Sequence, residues 1–443
     1  MLCKVRHRPI WLLFYFLVIF TTFTLSGCAS YSDKFQSIEK ELSEHDPEDA
    51  LKELEKQDHS SSDELLYHLN KTMLLRMQKD FRGSNEQIEL AKQFIEEYAA
   101  TSVTETTASF TVNDTMRTYT ATPLEQIMLN TYAAMNYLES GELDAARVEA
   151  LQTDLRIRQL LESDPENVLH IDPFARYLTG MIYEDQGEWS DAMIAYRKAY
   201  QAYLAHAQIY DVSVPEYLKF DLLRMAKRNG LKNELKKLKL EFGIVSPKKT
   251  TKNGGQGEVV IFFHKSLAPV LIEQSVTQID PGTGILIRFS LPYYQSRPSR
   301  LSHIRVMHNE QMENSQAVEH LDLIAKKNLE DALPAITARA FARAVTKYSI
   351  SRNVQRQDDL VGLLFNVMTV MTEQADTRSW LTLPAEVHMA RLKLPIGEQT
   401  ISIELIDIGG SVTYSTELKN VVIETGKRRY YSYHWIAPTM TRH

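Results

Sequence analysis

The chain has 443 residues, of which 44% are hydrophobic and 24% charged, enough for about two or three domains with cores of their own. Its net charge of −7 excludes a general, charge-driven nucleic-acid binder. Both cysteines, Cys3 and Cys28, lie in the first 28 residues, which excludes a disulfide framework or a thiolate metal site in the body of the protein.

The charge is uneven along the chain. Residues 28–257 carry 27 basic and 38 acidic side chains, and residues 258–443 carry 20 and 19. An acidic half followed by a balanced half places a domain boundary near residue 250.

Lys4, Arg6 and Arg8 precede an uncharged apolar run, Ile10 to Leu25. Sixteen residues are short for a bilayer span and suit the apolar region of a secretory signal, the competing reading being an uncleaved anchor helix. The run ends in Leu25-Ser26-Gly27-Cys28, which resembles a bacterial lipobox. That resemblance implies a signal peptide over 1–27, cleavage before Cys28, lipidation of Cys28 and acylation of its new amino group. Two or more acyl chains give stable anchoring, at about 0.8 kcal/mol per buried CH₂. Ala29 in place of Asp implies transfer to the outer membrane, with the protein on its periplasmic face. No later run reaches 18 apolar residues, so no further span is expected.

Residues 28–247 read as a helical repeat domain, with helical periodicity from about Lys34 to Gly243. In "FARYLTGMIYEDQGEWSDAMIAYRKAY", Gly180, Tyr183, Gly187, Ala192, Tyr196 and Ala199 fall at the small, aromatic and turn positions of a tetratricopeptide repeat. Ala134, Tyr137, Gly141 and Ala146 form a second copy upstream. Thr72, Leu75, Ser84, Ile88 and Ala91 form a weaker third, after a half-repeat that Asp46 caps and Pro47 opens. The turn positions Lys79, Gly141 and Gly187 are unevenly spaced, so insertions are present. One is the Thr-rich stretch 101–123, read as a hairpin or ordered loop around Asn113-Asp114. These small and aromatic positions are expected to pack helices rather than to touch a ligand.

Residues 248–257 are polar and Gly-rich and read as a linker. After it come the strand-like runs "EVVIFFH", "GILIRFSLP" and "LSHIRVMH". A helical insertion of about 316–374 follows, with two helices split at Pro334 and then the apolar "LVGLLFNVMTVM". The strands "AEVHMARLKLP", "QTISIELID", "TELKNVVIE" and "RRYYSYHWI" complete the chain, with Gly397 at a hairpin turn. The expected fold class is α+β and multidomain: all-α tetratricopeptide-like repeats, then a β-sandwich-like domain, 258–443, carrying a helical insertion.

No G-x-S-x-G, H-E-x-x-H or Walker motif is present, and no His, Cys or acidic set has metal-ligand spacing. No enzyme activity, cofactor or metal is therefore expected. Arg339, Arg343 and Lys347 form a basic stripe, read as a solvated face. "LLFNVMTVM" reads as a core helix, with a lipid-binding stripe as the alternative. Arg378 and Trp380 stand in a loop before a strand, as a structural cluster or a candidate recognition site.

Asn113, Asp114, Arg117, Tyr119, Glu125, Tyr132, Asn136, Tyr137, Gly141, Ala146, Arg147 and Glu149, together with "GEVVIFFHKSLAPV" and "ADTRSW", resemble a family of uncharacterised bacterial lipoproteins with tetratricopeptide-like repeats. The resemblance covers most of the chain after residue 28. It implies an envelope role linked to cell-wall synthesis and assigns no residue to it. The expected function is a lipid-anchored periplasmic scaffold that binds a protein partner and no nucleic acid. The alternative is a binding module for peptidoglycan or another envelope polymer, using the C-terminal domain, its basic stripe and the aromatic "YYSYHW". A hydrolase of unseen site is the third reading.

Overall fold

A computed structural model describes residues 31–101, 115, 117–164, 167, 172–244, 255–297 and 299–436. Cys28, the signal segment, Asn113-Asp114 and most of the 248–257 linker lie outside the described residues.

The helical part is a run of antiparallel pairs. A short helix α1 (Tyr31–Lys34) leads into α2 (Gln36–Ser43) and α3 (Pro47–Lys56). Then come α4 (Glu64–Met77) with α5 (Phe81–Thr101), α6 (Pro123–Ser140) with α7 (Leu143–Ser163), α8 (Pro173–Asp185) with α9 (Trp189–Tyr210), and α10 (Glu216–Arg228) with α11 (Lys232–Glu241). Local chemistry sets their ends. Asp46 accepts from the Asp49 amide and Asp172 from the Ala175 amide, each followed by Pro at the first helical position. Thr122 and Glu125 form a reciprocal capping box at α6. Each pair turns through one left-handed residue. His45 and Lys79 serve the first two turns, at φ 63° and 65°. Glycines serve the next three, Gly141, Gly187 and Gly230.

The second half contains β1 (Gln256–Lys265), β2 (Val270–Ile279), β3 (Leu286–Gln295), β4 (Leu301–His308), β5 (Gln311–Asn314), β6 (Gln316–Glu319), β7 (Glu386–Pro395), β8 (Gly397–Asp407), β9 (Val412–Ile423) and β10 (Arg428–Trp435). One sheet has the order β10-β1-β7-β6, with β1 parallel to β10 and antiparallel to β7. A second has the order β5-β4-β8-β9, and β2 pairs with β3 as a separate ribbon. Between β6 and β7 stand α12 (Leu321–Gln355) and α13 (Asp359–Met371), packed on β3.

Strand β1 explains how the halves join. Val259, Ile261 and Phe263 face the second sheet, in a core with Ile304, Ile403 and Leu405. Val260 and Phe262 face the helices, in a core with Tyr132, Phe174 and Tyr177. A strand buried on both faces is continuously apolar, which "VVIFF" is.

Three expectations need correction. Pro334 does not divide two helices but lies inside α12. It and Glu330, whose carbonyl loses its partner, are both exposed, so water takes the place of the missing amide. The helical insertion starts at Leu321, because Gln316–Glu319 pairs with β7 as a strand. Gly397, at φ 104°, does not close a hairpin: β7 belongs to the first sheet and β8 to the second, and the chain crosses between them there.

Candidate functional site

The first sheet lies across the face built by α4, α6, α8 and α10, the first helix of each pair. Its helix-facing side chains form three zones, set by the register of β7, β1 and β10. Glu258, Arg391 and Arg428 make a charged end. Val260, Phe262, Met389 and Tyr430 make an apolar middle, where Phe262 meets Phe174 edge-on at 5.8 Å. His264 and His434 stack at 4.1 Å at the far end, and burial holds both imidazoles well below their ordinary range.

The charged end is a closed network. Arg391 donates to Asp221 of α10 at 2.6 Å and to both oxygens of Glu258 at 3.1 and 2.8 Å. Arg428 reaches Glu184 and Asp185 of α8 at 2.7 and 2.6 Å, and Glu258 at 2.9 Å. Arg224 donates to Glu184 at 2.6 and 2.7 Å. The Tyr177 hydroxyl donates to Asp221 and that of Tyr196 to Glu184, each at 2.7 Å. Burial alone would raise the Glu258 carboxyl, but Arg391 and Arg428 outweigh it and hold it at about 2. Asp221 is likewise pushed up by burial and brought below the carboxylate range by Arg224, Arg391 and Arg428. At Asp185 burial wins over Arg428, and the carboxyl is raised.

Above this network the two halves part into a cleft of about 990 Å³. Gly141, Gln186 and Trp189 line it from the helical turns, Arg228 from the end of α10, and Lys393 and Lys427 from the sheet. The Arg228 guanidinium lies 3.7 Å from the Trp189 ring centre, a cation–π contact. Among the described residues no carboxylate pairs with Arg228 or Lys393, and both are exposed. The cleft therefore offers an aromatic surface and unneutralised cations on an otherwise acidic protein.

The small and aromatic positions of the repeats are packing positions. Ala134, Ala146, Gly180, Ala192, Tyr196 and Ala199 are buried, and Tyr137 and Tyr183 are partly so. Ser84 takes the place of a small residue in the early pair and donates to the Thr72 carbonyl at 2.9 Å.

Arg378 and Trp380 are not an exposed recognition site. Trp380 is 1% exposed, and its amide donates to Glu125 at 2.8 Å. Arg378 donates to Asp63 at 2.9 Å, to Asp376 at 2.9 and 2.7 Å and to the Arg117 carbonyl at 2.9 Å, and lies over the Tyr119 ring. The loop before β7 is thus clamped onto the entry to α6.

The basic stripe is not the solvated face expected: Arg339 is only half-exposed. Arg343 and Lys347 are buried and meet Glu373 at 3.1 and 2.5 Å. The "YYSYHW" segment is part of β10, where Tyr430 is buried and Tyr431, Tyr433 and Trp435 are half-buried against the core of the second sheet. "LLFNVMTVM" is not a core helix: in α13 Gly362 and Asn366 are buried, while Leu360, Leu363, Leu364 and Met368 are exposed.

Sequence reasoning passed over Arg391, Arg428, Asp221 and the cleft cations. A signal existed in "MARLKLP", where Met389, Arg391 and Lys393 must share one face of a strand. A charge between apolar neighbours on an inward face needs a buried partner.

No family model and no curated protein matches the chain. Among solved structures it is similar to the apo form of RapI (12% identity, TM-score 0.37, 54% of this chain and 59% of that one). It is also similar to a putative kinesin light chain with nearly identical TPR-like repeats from Podosopora anserina (13%, 0.31, 47% and 90%) and to MamA from Desulfovibrio magneticus RS-1 (15%, 0.29, 47% and 89%). The chain thus spans 59% of RapI, and the likeness is one of helical arrangement, carrying no argument about activity.

Proposed function

We propose that this protein is a lipid-anchored adaptor on the periplasmic face of a bacterial outer membrane, and that its cleft holds an acidic segment of a partner protein. The Cys28 lipobox and the family resemblance support the location and a link to cell-wall synthesis. The observation that carries the binding reading is the pairing of Trp189 with Arg228 beside unpaired Lys393. Trp and Arg dominate binding energy at protein interfaces, and an unpaired cation selects an anionic partner.

The inner face of the repeats, the surface a tetratricopeptide array would offer, is filled here by the protein's own sheet. A partner is therefore expected at the cleft. A photo-crosslinking amino acid in place of Gln186 should give a discrete adduct in cells, through an acidic peptide of the partner. Arg228→Glu with Lys393→Glu should weaken that adduct by about tenfold or more, since like charges would then face each other. Adducts no stronger at position 186 than at position 90, on the outside of α5, would refute the reading.

A further inference from the structure

Helix α13 is turned inside out. Asn366 faces the protein, where its amide group bonds both the N–H and the C=O of Leu286, at 2.8 and 2.9 Å. The apolar side chains point away: Leu360 is 62% exposed and Met368 59%. Phe341 on α12 (64%) and Ile279 at the end of β2 (63%) are exposed as well. From Leu360 to Thr372 there is no charged residue. Helix α12 is about 50 Å long at 1.5 Å per residue, so the arm is a substantial projection. Isolated exposed apolar residues need no explanation, but a single helix that exposes Leu360, Val361, Leu363, Leu364 and Met368 together marks a binding face.

Two observations say what covers it. The first is charge. Apart from the buried Arg343, Lys347 and Glu373, residues 332–373 carry Arg339, Arg352 and Arg356 against Asp358 and Asp359, a small positive excess on a chain of net charge −7. Arg352 and Arg356 are exposed beside the apolar helix. The second is position. The described chain begins at Tyr31, three residues after Cys28; helix α1 contacts β2, and Tyr31 packs against the cluster that contains Val270 at the start of that strand. The same ribbon carries the arm at its other end: Tyr348 bonds Asp280 at 2.6 Å and Gln355 bonds the Thr283 carbonyl at 3.1 Å. Ten residues of β2 span about 30 Å. An acyl chain on Cys28 thus brings one end of a short two-stranded ribbon to a membrane, with the apolar face at the other.

We infer that α13 and the outer face of α12 dock onto an anionic phospholipid bilayer, lying in the interface rather than crossing it. Thirteen residues are too few to span, and none of the described helices is long and apolar enough to cross a membrane. The docked arm supplies a second contact beside the lipid, so the body is oriented rather than merely tethered. The inference goes further than the adaptor reading and uses its lipid anchor only for position.

The test uses the full chain in vesicles of phosphatidylethanolamine and phosphatidylglycerol, with a fluorescent amino acid replacing Leu364. Lipids brominated on their acyl chains should quench it several-fold more than the same probe replacing Leu90 on α5. Leu360→Glu with Met368→Glu should bring quenching at 364 down to the Leu90 level without changing the melting curve, because both side chains are already exposed. Equal quenching at the two positions overturns the inference, as does a probe at 364 shielded in lipid-free detergent by a second copy or another protein. Mass analysis of the N-terminal peptide reads acylation of Cys28 separately, so a failed anchor and a failed arm give different results.

Discussion

Gly180 and Tyr196 meet so closely that a Cβ at position 180 would lie 2.4 Å from the tyrosine ring. The ring cannot retreat freely, because its hydroxyl is held by Glu184 and its edge meets Tyr177 at 5.8 Å. Gly180→Ala should cost about 2 kcal/mol by overpacking, read as a lower midpoint in urea. If its midpoint is unchanged, the two helices are less rigidly opposed than their contact implies. The need for a small residue here was legible in the sequence, since repeat spacing puts Gly180 and Ala192 where the two helices approach. The bond from Tyr196 to Glu184, and through Glu184 to Arg428, was not. That link joins residues 244 positions apart, and no local pattern announces such a partner.

At the scale of elements, α12 and α13 are held together by one carboxylate. Glu373 accepts from Arg343 and Lys347, and all three are buried. Glu373→Ala would remove the buried carboxylate that Arg343 and Lys347 share, at a cost of about 3 kcal/mol or more. The loss should be local: amide exchange should accelerate through α12 and α13 while β1 and β7 stay protected. Uniform acceleration would mean that the arm and the sheets unfold as one unit. The i,i+4 spacing of Arg343 and Lys347 was visible in the sequence and correctly put them on one face. It could not say that the face turns inward, because Glu373 lies beyond the next helix.

For the whole molecule, the decisive join is the charged end of the first sheet against α8 and α10. Glu258 titrates at about 2 in the folded protein against an ordinary 4.5, and Asp221 is also lowered. A depressed carboxylate contributes stability above its unfolded pKa and loses it as pH falls through the folded one. Between pH 4.5 and about 2, unfolding free energy should therefore fall by about 3 kcal/mol through Glu258 alone. Glu258→Gln should remove that part of the slope, measured by urea unfolding across the window. An unchanged slope would show that Glu258 does not hold the two halves together.

Much of the helical half is determined by sequence alone. Caps, left-handed turns and small–aromatic pairs act within one helix hairpin, so the chain spells them out locally. The alternation of β1 and β7 likewise marks strands. Tertiary structure alone decides what each face meets. It closes the repeat face with the protein's own sheet, buries Arg378, Trp380, Arg343 and Lys347, and leaves the apolar α13 uncovered. The physical reason is that periodicity reports only that a face exists. Whether protein, lipid or water covers it depends on segments hundreds of residues away, and on the burial and pairing they supply.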